Sequence, residues 1–253
     1  VSRPERSLKV DAVILRHSDW GEADRLLVLF TQQAGKLRAI AKGARRLRSR
    51  KAGHLEPFTQ ASLLLAQGRD WWVVTQAQTI QVYQKLREDL ERTALASYVM
   101  ELIDRLTVEG GEQPRLFSLV TGTLQRIDQE EDPFVAVRYF EMNLLELVGF
   151  RPELHTCTNC GEKIEAVNQY LSAELGGAVC PRCGQTASAA RPISVEALRF
   201  LRHYQRSTYA VALRGQPPAS IRAELESVMQ AYFAYILERG LNTPGFLRLV
   251  RKD

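Results

Sequence analysis

Ser7–Arg16 reads SLKVDAVILR and Gly35–Gly43 reads GKLRAIAKG. In the first, Leu8, Val10, Ala12 and Ile14 fall on one side of an extended chain; in the second, Leu37, Ala39 and Ala41 oppose Lys36, Arg38 and Lys42. A period of two marks a strand with one buried face, because successive side chains leave the pleat in opposite directions. Between these stretches RLLVLFT, Arg25–Thr31, is a short apolar run suited to a buried strand. Two further strands are predicted around ASLLLAQG (Ala61–Gly68) and WWVVTQAQTIQVY (Trp71–Tyr83), with Gly68, Arg69 and Asp70 as the turn between them. Five short strands with a long insertion before the fourth predict a small closed barrel of the oligonucleotide-binding (OB) type, since closure removes the edges an open sheet leaves exposed.

From Gln84 the apolar period lengthens to that of a helix. Leu95, Tyr98, Val99, Leu102, Ile103 and Leu106 form one stripe, and Phe134, Val137, Phe140, Leu144 and Leu147 form another behind Pro133, expected in the first turn. EGGEQP and GFRP interrupt them. Ser194 is placed to cap a helix through Leu198 and Leu201, and Ile221, Leu225, Val228, Tyr232 and Ile236 mark a last helix expected to stop at Gly240.

All four cysteines fall in CTNCGE and CPRCGQ, as Cys157, Cys160, Cys180 and Cys183: a C-x2-C-x19-C-x2-C array. Two intervening residues let one tight turn aim both sulfurs at a point, and Gly161 and Gly184, each following a pair, are expected to take the positive φ of that turn. NQYLSAELGGAV between the pairs reads as strand, turn, strand. The array predicts a zinc ribbon holding one ion, rather than free thiols or redox pairs. Four thiolates close the coordination sphere, so the expected zinc is structural and leaves no position for an activated water. The fold class expected is thus α+β in several domains: an OB barrel at 1–82, a helical body at 83–152 and 191–253, and an inserted ribbon at 153–190.

The chain of 253 residues carries a net charge of +5, unevenly distributed. Residues 1–85 hold fifteen Lys and Arg against seven Asp and Glu, which leaves the remainder mildly acidic. A basic module on an acidic body points to a polyanionic partner. The charge concentrates in AKGARRLRSRKAGH, Ala41–His54, with six cations and no acid. Together with the preceding strand it offers Lys36, Arg38, Lys42, Arg45, Arg46, Arg48, Arg50 and Lys51 as phosphate contacts. Such contacts release condensed cations, and six of them imply a log-log salt slope near about −4 on single strands. Trp71 and Trp72 are neighbours on a predicted strand and must face opposite ways, so one fills the core while the other, taken as Trp72, stacks on a base; Trp20 and Phe58 are further aromatics in reach. With no base-reading helix in view, binding is expected to be indifferent to sequence.

Other functions find little support. Neither a G-x-x-x-x-G-K-[ST] nor a G-x-G-x-x-G motif occurs, which disfavours an ATP-driven motor or kinase. RHSDWGEADR gathers His17, Ser18, Asp19, Glu22 and Asp24, but it lies between two strands, where short polar residues and Gly21 are what a turn requires. No apolar run reaches the roughly 20 residues of a bilayer span, and VSRPERSLKV lacks a signal core, so a cytoplasmic, nucleoid-associated protein is expected.

Three stretches in order resemble one family. GEADRLLVLFTQQAGKLRAIAKGARRLRS, LEPFTQASLLLAQGRD and LLELVGFRPELHTCTNCGE are similar to segments of the bacterial recombination mediator RecO, and the likeness runs from about Leu8 to Val250. The resemblance implies a non-enzymatic DNA-repair protein that binds single- and double-stranded DNA and anneals complementary strands. It also implies work with RecR to help RecA displace single-stranded DNA-binding protein. The acidic tail of that last protein would need an apolar groove ringed by cations; Arg199, Arg202 and Arg206, beside His203, Phe200 and Leu201, are the residues offered for it. The competing class is a zinc-ribbon module of the transcription or translation machinery that binds protein or RNA.

Overall fold

The computed structural model describes residues 7–238 and 240–251; residues 1–6, the start of the segment read as lacking a signal core, lie outside the described residues. The chain packs as two compact units, 1–129 and 130–253.

The first unit opens with β1 (Ser7–Trp20), β2 (Asp24–Thr31), β3 (Gly35–Ala41), β4 (Gln60–Ala66) and β5 (Trp72–Gln81). They close in the order β1-β2-β3-β5-β4, with β4 returning to β1 and a short parallel pairing of β3 with β5. This is the expected five-stranded barrel. Its interior holds Val10, Ala12, Ile14, Leu27, Leu29, Ala39, Ala41, Leu63, Leu65 and Val74, as the alternation requires. Val13, Leu15, Val28 and Phe30 are buried as well. In the register of β1 with β2, Val13 stands opposite Phe30, and a bulge follows at Ile14–Arg16. Phe30 leans on Phe117 with ring centroids 6.3 Å apart, so helices cover the outer face of these two strands. Burial on both faces explains why AVIL and LLVLF run apolar without a break.

Those helices are α1 (Gln84–Glu88), α2 (Leu90–Leu106) and α3 (Pro114–Gln129). Asp89 caps α2 by accepting a hydrogen bond from the Arg92 N–H at 3.0 Å. Leu95, Tyr98, Val99, Leu102 and Ile103 of the predicted stripe are all buried.

The second unit is built around α4 (Phe134–Leu147). Pro133 stands at its N-cap rather than in its first turn. The helix is buried on several sides, including an ion pair of Arg138 with Glu141 at 2.9 Å. Then come β6 (Gln169–Ser172), β7 (Gly177–Val179), the single turn α5 (Pro181–Gly184) and β8 (Arg191–Ile193), the strands forming a sheet in the order β7-β6-β8. The unit is completed by α6 (Val195–Arg206), α7 (Tyr209–Ala212), α8 (Ala219–Ile236) and α9 (Thr243–Val250). Ser194 caps α6, accepting from the Ala197 N–H at 3.1 Å, as expected. The stop of α8 is not at Gly240: the helix ends at Ile236, and Glu238 takes the left-handed conformation at φ 52°. None of the described helices is long and apolar enough to cross a membrane.

Candidate nucleic-acid interface and metal centre

The alternation of β3 does point Lys36 and Arg38 out of the barrel, but acids at and beyond the end of α2 are there to meet them. Lys36 donates from Nζ to the Asp104 carbonyl and lies 3.4 Å from its carboxylate. Arg16 pairs with the same carboxylate at 2.8 Å, and Arg38 with Glu109 at 2.6 Å. The carbonyls of a helix's last turn favour a cation, which is why the Lys36 ammonium settles there. The loop after α2 seals the contact, for the Gly110 N–H donates to the Lys36 carbonyl at 3.0 Å. A Cβ at Gly35 would meet the Gly111 carbonyl oxygen at 2.2 Å, so that position admits only glycine. Lys36 is therefore placed as part of the packing, and Arg38 as a half-exposed ion pair.

The loop that follows is different. It is stitched down: the Gly43 N–H donates to Asp24 Oδ1 at 2.7 Å, the Arg45 N–H to the Ala23 carbonyl at 2.9 Å, and the Ser49 N–H to the Arg46 carbonyl at 2.9 Å. Arg45 ties it further to the β1–β2 turn, through Asp19 at 3.1 Å and the carbonyls of Gly21 and Glu22. Lys51 donates to the Val74 carbonyl at 3.0 Å. Lys42, Arg46, Arg48 and Arg50 remain exposed, with no ion pair among the described residues. Four cations thus stand together on a braced loop, with no acid paired to them among the described residues.

Arg45 also brings the loop to an aromatic pair. Trp20, at the end of β1, meets Trp71 of the β4–β5 turn edge to face, with centroids 5.0 Å apart and an interplanar angle of 88°. Trp20 remains about half exposed. Both neighbouring tryptophans are half-buried: Trp72 packs against the barrel core, while Trp71 meets Trp20. A cleft of about 240 Å³ is lined by both Trp71 and Trp72, with Arg38, Gln67, Arg69 and Glu109. Gly68 permits this turn, since a Cβ there would lie 2.2 Å from the Trp71 carbonyl oxygen. Phe58 is held at φ 65° in the segment before β4 and is half-buried.

The polar residues of RHSDWGEADR build the hairpin. Asp19 holds Arg45 and Asp24 holds the Gly43 N–H, while His17 lies 3.3 Å from Glu56, which also accepts from Arg25 at 2.7 Å.

In the second unit the four cysteine sulfurs lie within 4.8 Å of one another, and Cys160 and Cys180 are 3.9 Å apart. A tetrahedral zinc with metal–sulfur bonds of about 2.3 Å requires sulfurs about 3.8 Å apart, so the donor set fits that ion. The first knuckle turns at Gly161, whose φ is 77° and whose N–H donates to the Cys157 carbonyl at 2.8 Å. The second departs from expectation. Gly184 sits in the helical turn α5 and is glycine because the Tyr170 ring lies against it, 2.2 Å from where a Cβ would be. Burial pushes the Cys157 thiol up, but N–H groups of Cys180, Cys160 and Asn159 aimed at its sulfur outweigh that and bring it down to about 6. A thiol so poised is a ready thiolate ligand.

On α6, Arg202 is taken up structurally: its Nε donates to the Leu154 carbonyl at 2.8 Å, with a second bond from Nη2. Its guanidinium is held below its usual range by burial, then by repulsion from Arg206 and Arg199. Arg199 and Arg206 stay exposed on the same face.

Two family models match the chain: Recombination protein O N terminal over residues 6–83 and Recombination protein O C terminal over residues 87–244. Among known proteins the chain is similar to the DNA repair protein RecO of Roseiflexus sp. (strain RS-1), 39% identical over 248 residues that cover 98% of this chain and 87% of that one. The DNA repair protein RecO of Dehalococcoides mccartyi (strain ATCC BAA-2266 / KCTC 15142 / 195) is 37% identical over 231 residues, 91% of each. That of Desulforudis audaxviator (strain MP104C) is 36% identical over 246 residues, 96% of this chain and 97% of the other.

Proposed function

Since the chain belongs to the RecO family, whose members act in DNA repair and recombination, we propose that it binds DNA without sequence preference through the loop after β3 and anneals complementary strands. The observation that carries this reading is the set of four unneutralised cations, Lys42, Arg46, Arg48 and Arg50, on a loop tied through Arg45 to the hairpin that bears Trp20. The cations grip phosphates of single or double strands, and the Trp20–Trp71 pair stacks bases of a single strand. Annealing then requires no fuel. Cations screen the repulsion between two backbones, and base pairing supplies both the specificity and the free energy.

In the same reading one zinc ion is held by Cys157, Cys160, Cys180 and Cys183 and stabilises the small β6–β8 sheet by tying its two cysteine turns together. The protein acts with RecR to help RecA replace single-stranded DNA-binding protein, whose acidic tail meets the exposed Arg199 and Arg206 of α6. No step of this proposal is catalytic.

The test is a salt titration of binding to single-stranded oligonucleotides. Four phosphate contacts give a log-log slope of about −3 on single strands, and replacing Lys42, Arg46, Arg48 and Arg50 by Ala removes most of both slope and affinity. Binding that is equally tight in the quadruple variant assigns the DNA site elsewhere.

A further inference from the structure

Leu47 stands in the middle of the cationic loop with a relative exposure of 106%. A single exposed leucine is ordinary; its setting is not. Its backbone lies within two linked turns, closed by the Arg46 N–H on the Gly43 carbonyl at 3.2 Å and the Ser49 N–H on the Arg46 carbonyl at 2.9 Å. Below them Ala44 is buried and Asp24 clamps the Gly43 N–H. The isobutyl group therefore projects from a braced base instead of lying back on the protein. Arg45 and Arg46 precede it and Arg48 follows, so any surface it enters must also accept guanidinium groups on both sides.

The nucleic-acid surface that takes an aliphatic side chain between two sets of cations is a base step flanked by its phosphates. Apolar wedges used in this way unstack and kink a duplex, while neighbouring cations hold the backbones. Chain geometry also limits how far the wedge stands from the aromatic pair: Leu47 is two positions from Arg45, whose N–H is bonded to the Ala23 carbonyl, three positions from Trp20. At about 3.6 Å per residue and about 7 Å from Cα to Cα across the hydrogen bond, the two side chains root within about 25 Å of each other.

We propose that Leu47 is a wedge that enters a base step of duplex DNA, opening the stack next to the platform of Trp20 and Trp71. This inference rests on the loop being the DNA site and adds to it a mode of engagement specific to paired strands. Single strands present no closed stack, so they bind the arginines without using Leu47.

The experiment compares the full-length protein with Leu47→Ala, Leu47→Phe and the quadruple Lys42, Arg46, Arg48, Arg50→Ala variant. The probes are a duplex carrying 2-aminopurine and the corresponding labelled single strand. Wild type raises the duplex fluorescence at saturation; Leu47→Ala loses that rise and binds the duplex about tenfold more weakly, about 1.4 kcal/mol, while its single-strand affinity changes less than about twofold. Leu47→Phe, which keeps an apolar wedge, retains the signal. Because Leu47 is fully exposed, its truncation leaves the fold intact. A wild-type duplex that shows no rise at saturation overturns the wedge, as does an alanine variant that matches wild type on the duplex. Failure of the underlying reading is distinct: the quadruple variant then binds both probes as wild type does.

Discussion

Trp20 and Trp71, one from the β1–β2 hairpin and one from the β4–β5 turn, lock two loops at the same end of the barrel by an edge-to-face contact of 5.0 Å. The contact leaves Trp20 about half exposed. Base stacking on an aromatic platform is worth about 1–3 kcal/mol per base. Trp20→Ala is accordingly expected to weaken single-strand binding by about one order of magnitude while leaving the salt slope unchanged, since no phosphate contact is lost. Trp72→Ala, which removes a ring packed on the core, should lower thermal stability instead. Fluorescence titration and melting curves on the two variants separate these roles.

The barrel was legible because its interior follows the strict alternation of Val10, Ala12 and Ile14 or Leu37, Ala39 and Ala41, and the cysteine cluster because spacing alone brings four sulfurs together. The fate of the outward cations was not legible. Lys36, Arg38 and Lys42 have the same period, but Lys36 and Arg38 meet Asp104 and Glu109, more than sixty residues on, while Lys42 has no ion pair among the described residues. Alternation reports which way a side chain leaves its strand; it carries no information on what a distant helix places there. The packing of Trp72 against the core has the same origin, since alternation alone does not set the phase with which β5 joins the barrel.

Lys36 is thus expected to behave as a packing residue. Asp104→Asn leaves the Lys36 ammonium, 13% exposed, with a carbonyl but no carboxylate, and also strips Arg16 of its partner. The loss of charge-assisted bonds at a partly buried site should cost about 1–3 kcal/mol. The urea midpoint should fall accordingly, with the log-log salt slope for DNA unchanged because the free cations of the loop are untouched. A steeper slope with normal stability would mean instead that Lys36 or Arg16, released from the carboxylate, reaches a phosphate.

Glu56 gives the first unit an acid-sensitive joint. Burial pushes its carboxyl up, but hydrogen bonds and charge from Arg25 and His17 outweigh this and hold it below its usual value of 4.5. A carboxyl lowered in the folded state stabilises above its unfolded pKa, and that contribution disappears as pH falls through the folded value. Unfolding followed between neutral pH and about pH 3 should therefore show a wild-type loss below 4.5 that Glu56→Gln lacks, the variant being less stable at neutrality and nearly parallel to wild type in acid. An equal fall in both proteins between neutrality and acid, with their difference in stability unchanged, would remove Glu56 from the account.

The cysteine cluster should prove structural and local. Elemental analysis of the purified chain is expected to give one zinc per molecule, as four converging thiolates require. Cys157→Ser removes the ligand whose sulfur receives the most backbone N–H groups, and so the one best suited to hold the metal as thiolate. Without that ion the two cysteine turns lose their common anchor, and hydrogen exchange in residues 153–193 should accelerate. The cationic loop lies in the other compact unit, with its bracing supplied by Asp19, Ala23 and Asp24. Single-strand affinity and its salt dependence should then survive the substitution, even as the ribbon loosens. Equal loss of metal and of DNA binding would mean instead that the cluster supports the interface directly, and the division of labour between a gripping loop and a shape-holding metal would have to be abandoned.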